Sequence, residues 1–291
     1  MNCSKLALGA VQFGMNYGVS NSSGQTSLIE VTKILNLAHK LNISLIDSAI
    51  SYGSSEKILG EIGVSNFDIV SKLPSSVLTQ KEVSSSIQYH IDNSLIRLKK
   101  DSLYGFLAHN AADLLSSNGE IIYKSLNLAK KNGLIKKIGV SVYYPEEIKQ
   151  LMYYYDLDLI QAPFNIIDNR LIKSGLMKEL SSSNIELHVR SIFLQGLLLM
   201  TPSNRLLKFN KWVALWNTWD EWLNDLKITP IEACLSYALS FDEISKLVIG
   251  VESAKQLQEI ANIKPLKSLN LPEDLVTEDQ LLLNPANWNN L

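Results

Sequence analysis

Six short apolar runs in this chain each end on a polar residue. Asp47 closes Leu-Ile-Asp, Lys72 closes Ile-Val-Ser-Lys and His109 closes Phe-Leu-Ala-His; Ser141, Gln161 and Arg190 close three more. Tyr52 follows Asp47 closely, in Ser-Tyr-Gly-Ser-Ser-Glu. Asp, Tyr, Lys and His together have one chemical logic, proton donation to a carbonyl oxygen. A tyrosine has a pKa of about 10 and needs help to act as an acid near neutrality. An ammonium such as Lys72 favours the phenolate and lowers that value, and a carboxylate such as Asp47 pairs with the ammonium and fixes it. A histidine such as His109, bonded to the substrate oxygen, aligns it and stabilises charge as hydride arrives. The chain has no redox cysteine pair or metal-ligand spacing, so the hydride must come from a bound cofactor.

Each residue alone has a plainer reading. Asp47 is also a turn cap, Lys72 beside Ser71 and Pro74 is also a solvated loop lysine, and His109 is also a structural histidine. Tyr52 next to Gly53 is also turn packing. His39, His90 and His188 lack such placement and read as helix-surface or interior residues, with no metal site among the four histidines. The plain readings weaken when the residues are taken together, because they end neighbouring runs.

The runs that must position them are Lys5–Leu8, Ser44–Asp47, Asp68–Lys72, Leu103–His109, Lys137–Ser141, Leu157–Gln161, Ile185–Arg190 and Lys246–Gly250. Most are continuously apolar, as expected of strands buried on both faces of a parallel sheet. Between them lie helical faces such as Val31, Ile34, Leu35, Ala38 and Leu41, or Val83, Ile87, Ile91, Leu95 and Leu98. Ser27-x-x-Glu30 and Thr79-x-x-Glu82 read as capping boxes, and Gly133 as a helix stop. Eight strands, each but the last clearly followed by a helix, predict an α/β fold of (β/α)8 (TIM) barrel type, one domain over 1–291. A doubly wound sheet is the rival, and its Gly-x-Gly-x-x-Gly turn is absent. In a barrel the six polar strand ends converge on one rim, where barrel enzymes build their sites. The Trp212, Leu215, Trp216, Trp219, Trp222, Leu223, Leu226 stripe reads as core rather than as a partner surface, and the tail after Leu271 as a segment packed on the barrel's exterior or mouth.

Composition narrows the class. Hydrophobic residues make up 46% and charged residues 19% of the 291, with a net charge of −2, which excludes disorder and coiled coil. Four of the 27 basic residues are arginine and none cluster, so no nucleic-acid partner is expected. Two cysteines, Cys3 and Cys234, fit a reducing compartment. The apolar stretch Ile192–Met200 is too short for a bilayer and is broken by Gln195 and Gly196. A cytoplasmic protein without a membrane partner is expected.

Read with these motifs in order, the chain resembles the aldo-keto reductase superfamily over nearly its whole length. The matching segments are Leu-Gly-Ala-Val-Gln-Phe-Gly (8–14), Ile-Asp-Ser-Ala-Ile-Ser-Tyr-Gly-Ser-Ser-Glu (46–56) with Leu-Gly-Glu (59–61), Ser-Lys-Leu-Pro (71–74) and Leu-Ala-His-Asn (107–110). They continue with 137–141, 160–165, 190–199 and 248–259. The Arg-Ser-x-Phe-Leu-Gln-Gly form at 190–196 is similar to a bacterial branch associated with surface-polysaccharide and sugar metabolism. The resemblance implies Tyr52 as general acid, Lys72 and Asp47 as its tuning pair, and His109 as the residue that orients the carbonyl. It implies that Ser141 and Gln161 hold the nicotinamide carboxamide. Gly9, Ala10, Asp47, Arg190, Ser191, Phe193, Gly196, Gly250, Val251, Ser253, Gln256 and Glu259 complete the implied cofactor site. The implied activity is hydride transfer between NADP(H), with NAD(H) as the alternative, and an aldehyde, ketone or sugar carbonyl.

The chain also departs from the family pattern. Val142 stands where many members have Asn, and Arg190 where many place an aromatic under the nicotinamide. Gly250 and Gln256 stand where Lys and Arg often hold the 2′-phosphate of NADP. NADPH stays the expected cofactor, with a modest advantage, if Lys255 and backbone amides near Ser253 supply part of that site. Arg190 keeps three readings: a planar platform under the nicotinamide, a pyrophosphate clamp, or a structural salt bridge. Two rival functions are a low-turnover cofactor-binding subunit and a Schiff-base lyase using Lys72. Substrate, reaction direction and oligomeric state are not legible.

Overall fold

The computed structural model describes residues 3–75 and 80–291. Eight parallel strands close into a barrel in sequence order: β1 (Leu6–Gly9), β2 (Leu45–Asp47), β3 (Asp68–Leu73), β4 (Leu103–Ala108), β5 (Ile135–Ser141), β6 (Leu159–Pro163), β7 (Glu186–Arg190) and β8 (Ile244–Gly250). Helices on the outside link them, including one after β8, Ala254–Asn262, which the sequence had left indistinct. This is the (β/α)8 barrel expected from the buried apolar runs.

Strand ends differ from expectation by a few residues. β4 stops at Ala108, and His109 lies just past it, its N–H on the Leu73 carbonyl at 3.1 Å. β6 continues past Gln161 to Pro163, and β5 and β8 begin earlier than their apolar runs, at Ile135 and Ile244. Registers that pair Gly9 with both Asp47 and Gly250, and Ser141 with Gln161, bring the polar ends to a common rim.

Side chains alternate across each strand. Ala7, Leu45, Val70, Leu107 and Leu159 point inward and form a small cluster with Tyr104 and Val248. The other strand faces pack against the helices in the main core. Nearer the strands' N-terminal ends, Glu186 is held by Lys137 at 2.6 Å, by the Tyr104 hydroxyl at 2.9 Å and by His188 at 3.4 Å. Burial there opposes ionisation, yet these donors outweigh it and bring the carboxyl down to about 2.

The helix signals are mostly local successes. Ser27 caps Leu28–Lys40 by accepting from the Glu30 N–H, but Glu30 does not return the bond as a capping box requires. Its carboxylate goes instead to the Ala254 N–H (2.9 Å) and Lys33 (3.0 Å). Thr79 lies outside the described residues. Gly133 follows the helix Gly119–Lys131 with φ of +77°, as a stop should. The Trp stripe, which runs from the N-cap Trp212 into the helix Val213–Leu226, is buried apart from Leu226, which is exposed. The tail packs beside the loops after β6 and β7: Thr277 N–H bonds the Ile167 carbonyl, Gln280 accepts from Arg170, and Asp279 from the Trp212 indole. Among the described residues no helix is long and apolar enough to cross a membrane.

Candidate active site

Asp47, at the end of β2, is buried and both its oxygens are engaged. Oδ2 accepts from Lys72 Nζ at 2.7 Å and Oδ1 from Gln161 Nε2 at 2.7 Å. Lys72 is fully buried and also donates to the Ser48 carbonyl at 2.9 Å. Its ammonium lies 5.1 Å from the centroid of the Tyr52 ring, and the His109 ring meets Tyr52 edge-on at 5.8 Å. The structure therefore gathers Asp47, Tyr52, Lys72 and His109, drawn from four different segments, at one rim.

The electrostatics correct one expectation. Lys72 sits over the face of Tyr52, and the phenol is not lowered: burial and the Asp47 charge push its pKa well up, while Arg190 pulls the other way. Burial lowers Lys72, and Asp47 counteracts this. Burial and Lys72 push the His109 imidazole down to about 4, so the ring is neutral at pH 7. Its Nδ1 lies 3.1 Å from the Ser51 hydroxyl.

Close backbone contact seats the Tyr52 turn. A Cβ on Gly14 would overlap the Tyr52 carbonyl and the Ser55 N–H, and Gly53, with φ of +55°, packs on the Gly14 carbonyl. Ser55 Oγ donates to the Ala10 carbonyl at 2.9 Å and meets Ser48 Oγ at 3.0 Å. Glu56 then ties the following helix to β3 through Ser71 (2.5 Å) and to Arg97 (2.6 Å).

A cavity of about 360 Å³ opens beside this cluster. At one end it is lined by Asp47, Tyr52 and Arg190, along its length by Gly9, Ala10, Ser191, Phe193 and Gly196, and at the far end by Gly250, Val251, Gln256 and Glu259. Ser141 and Gln161 are buried at the rim beside it rather than on its wall, and Ser253 also lies off the wall. The loop after β7 is strained, with positive φ at Ser191, Leu194 and Gln195 as well as at Gly196. Gln161 Oε1 and Gln12 Oε1 are buried and have no hydrogen-bond partner among the described residues. Such amide oxygens suit a ligand amide, so the chain's residues fit a nicotinamide dinucleotide running from Tyr52 towards Glu259.

The far end does not look as the sequence suggested. The Ala254 N–H is taken by Glu30, the Gln256 N–H by Ser253 Oγ (3.2 Å), and the Glu252 N–H by Gln256 Oε1 (2.7 Å). Three of the amides near Ser253, and the Gln256 side-chain oxygen, are thus engaged within the protein. Lys255 is solvated, 3.9 Å from Glu259. A side chain at Gly250 would collide with the Gln12 amide.

Several residues at or beside the wall were not among the site residues drawn from the sequence. Gln12 lies under Gly250. Tyr17 and Gln195 bridge the loops after β1 and β7 at 3.1 Å, and Ser20 donates to the Gln195 carbonyl. Glu252 lines the far end. Tyr143 carries the Arg190 guanidinium, 4.4 Å over its ring. The salt-bridge reading of Arg190 fails, since no carboxylate pairs with it among the described residues; it donates to the Val142 carbonyl (2.9 Å) and Ser191 Oγ (3.4 Å).

An eight-stranded parallel barrel with this rim is the architecture of a carbonyl oxidoreductase, and the chain belongs to the aldo/keto reductase family, whose family model matches residues 5–275. It is 27% identical over 183 residues to the NADH-specific methylglyoxal reductase of Escherichia coli (strain K12), a match spanning 55% of this chain and 56% of that protein. The chain thus spans little more than half the length of that relative. Among solved structures, the holo form of aldo-keto reductase AKR11C1 from Bacillus halodurans superposes with a TM-score of 0.72 at 16% identity, over 94% of both chains. Glycerol dehydrogenase AKR11B4 from Gluconobacter oxydans superposes at 0.68 with 18% identity, over 91% of this chain and 88% of that one. These two likenesses concern the fold.

Proposed function

We propose that this aldo-keto reductase reduces a small aldehyde or ketone, with Tyr52 as the proton donor and NAD(H) as the better-fitting cofactor. The observation that carries the reading is the buried Lys72–Asp47 pair at 2.7 Å, set against the Tyr52 ring with His109 alongside. When bound, the nicotinamide supplies the hydride. The chain's own residues manage the proton and the developing charge.

Tyr52, held up by burial, is fully protonated at neutral pH, as a donor must be. Its proton becomes easier to release as negative charge builds on the carbonyl oxygen. In this reading the Ser51 hydroxyl, 3.1 Å from Nδ1, is the donor of that bond, which leaves the proton of neutral His109 on Nε2 as a second donor to that oxygen. The engaged pair of Asp47 and Lys72 keeps an ammonium close without adding net charge.

The cofactor preference rests on the far end of the cavity. NADP(H), favoured from sequence, needs cations for its 2′-phosphate. This end instead presents Glu252 and Glu259, with the Glu252, Ala254 and Gln256 amides already bonded within the protein. Carboxylates accept from ribose hydroxyls and repel a phosphate. The name of the Escherichia coli relative points the same way.

Tyr52→Phe keeps the ring and removes the proton. It is expected to lower aldehyde reduction about 10²–10⁴-fold while the protein still binds NADH. Near-full activity in this variant would refute the mechanism, and loss of binding without loss of turnover per bound cofactor would assign Tyr52 to the cofactor instead.

A further inference from the structure

The cavity is electrostatically polarised along its length. At the far end it carries Glu252 and Glu259; at the Tyr52 end, among the described residues, its wall has a single cation, Arg190. Both oxygens of the carboxylate there, Asp47, are engaged by Lys72 and Gln161. His109 is neutral. Lys72 and Asp47 cancel, so Arg190 leaves the reacting end with one uncompensated positive charge.

The geometry holds that charge on the wall of the cavity that Tyr52 also lines. Arg190 is drawn towards β5 by the Val142 carbonyl at 2.9 Å and lies over the Tyr143 ring, 4.4 Å from its centroid. Tyr52, Tyr17 and His109 all feel its charge. A guanidinium has five N–H donors in a planar fork. Among the described residues two bonds to protein are made, to Val142 and Ser191, so donors remain for an external acceptor. A partly buried guanidinium without a carboxylate partner favours an anion, and its fork matches a carboxylate.

We propose that Arg190 is an anion anchor for the substrate, and that the preferred substrates are carbonyl compounds bearing a carboxylate. The inference rests on the proposed reductase activity and extends it to substrate class. Tyr52 and His109 would hold the carbonyl oxygen while Arg190 holds the carboxylate, fixing the face of the carbonyl offered to hydride. A phosphate of the cofactor is the other anion that could use the same fork, and the test separates the two.

Glyoxylate and methyl glyoxylate share a reacting aldehyde and differ in charge. Arg190→Met is expected to cut the ratio of kcat/KM for glyoxylate to that for methyl glyoxylate by about tenfold or more, with Arg190→Lys recovering part of it. Oxamate, which cannot be reduced, should bind the wild-type protein with NADH by calorimetry and bind Arg190→Met about tenfold more weakly. Melting curves of both variants check that they fold. An unchanged ratio with unchanged oxamate affinity would overturn the anchor. An equal fall for both aldehydes with weakened NADH binding would also overturn it and give Arg190 to the cofactor phosphate. If wild-type protein reduces neither aldehyde, the reductase reading fails, and the oxamate titration still decides the anion site.

Discussion

Gln161 donates through Nε2 to Asp47 Oδ1 at 2.7 Å, on the oxygen opposite the one that Lys72 holds. One amide therefore braces the carboxylate while its own Oε1 stays buried without a partner among the described residues. The family resemblance gives this residue to the nicotinamide carboxamide, and the geometry lets it serve both ends. Gln161→Leu should lower stability by about 1–3 kcal/mol by stripping a donor from a buried carboxylate. It should also weaken NADH binding. Thermal melts and fluorescence titration check the two effects separately, and unchanged affinity would confine Gln161 to Asp47.

His109 yields a pH prediction. Its imidazole is lowered by burial and Lys72 to about 4, against an ordinary value of 6.5. Between those values the unfolded chain binds more protons than the folded one, so stability rises with pH there. The contribution is complete above 6.5 and lost as pH falls towards 4. Activity should follow the same group: kcat/KM should hold down to pH 5 and fall with an acid limb near 4, not near 6.5. Histidine titration by NMR assigns the limb, and a midpoint near 6.5 for His109 would contradict the burial argument.

Gly14 is a positioning residue for the acid. A methyl group there would occupy the place of the Tyr52 carbonyl and the Ser55 N–H. The backbone must shift, and Tyr52 shifts with it. Gly14→Ala should reduce kcat by about 10²-fold, the scale expected of a misplacement near 1 Å. Lost activity should exceed any loss of NADH affinity, because Tyr52 moves with the turn. Equal losses in both would mean that the whole rim has collapsed.

The barrel was legible because strands buried on both faces leave continuous apolar runs, and a polar side chain ending such a run is conspicuous. Asp47, Lys72 and Arg190 were found this way. Contacts made between loops were not, since nothing local marks them: Tyr17 meets Gln195 across 178 positions, and Gln12 meets Gly250 from the far side of the chain. Glu30 shows how a correct local signal misleads. Its spacing from Ser27 is that of a capping box, but the carboxylate is used 224 positions away on Ala254. Arg190 was recognisable as unusual, yet its direction depends on the Val142 carbonyl and the Tyr143 ring. The upward push on Tyr52 was not legible because residue types do not reveal how deeply the phenol is buried or that the Asp47 charge faces it.

The cofactor's adenosine end gives the last prediction. Glu252 is half-buried, its carboxyl pushed up by burial, and no cation is paired with it among the described residues. A ribose with free hydroxyls can donate to such a group, whereas a 2′-phosphate brings a second negative charge into the same confined space. Gln256 cannot swing to relieve this without giving up the Glu252 N–H that it accepts at 2.7 Å. NADH should therefore bind more tightly than NADPH, by about tenfold, the scale of one charge-assisted interaction. Glu252→Lys should narrow or reverse that ratio, chiefly by improving NADPH, and the effect should shrink at high salt because the site opens to solvent. Fluorescence titration of both cofactors on both proteins measures it. Tighter NADPH binding by the wild-type chain would show that the 2′-phosphate finds cations elsewhere, and the assignment of this end to NAD(H) would fall.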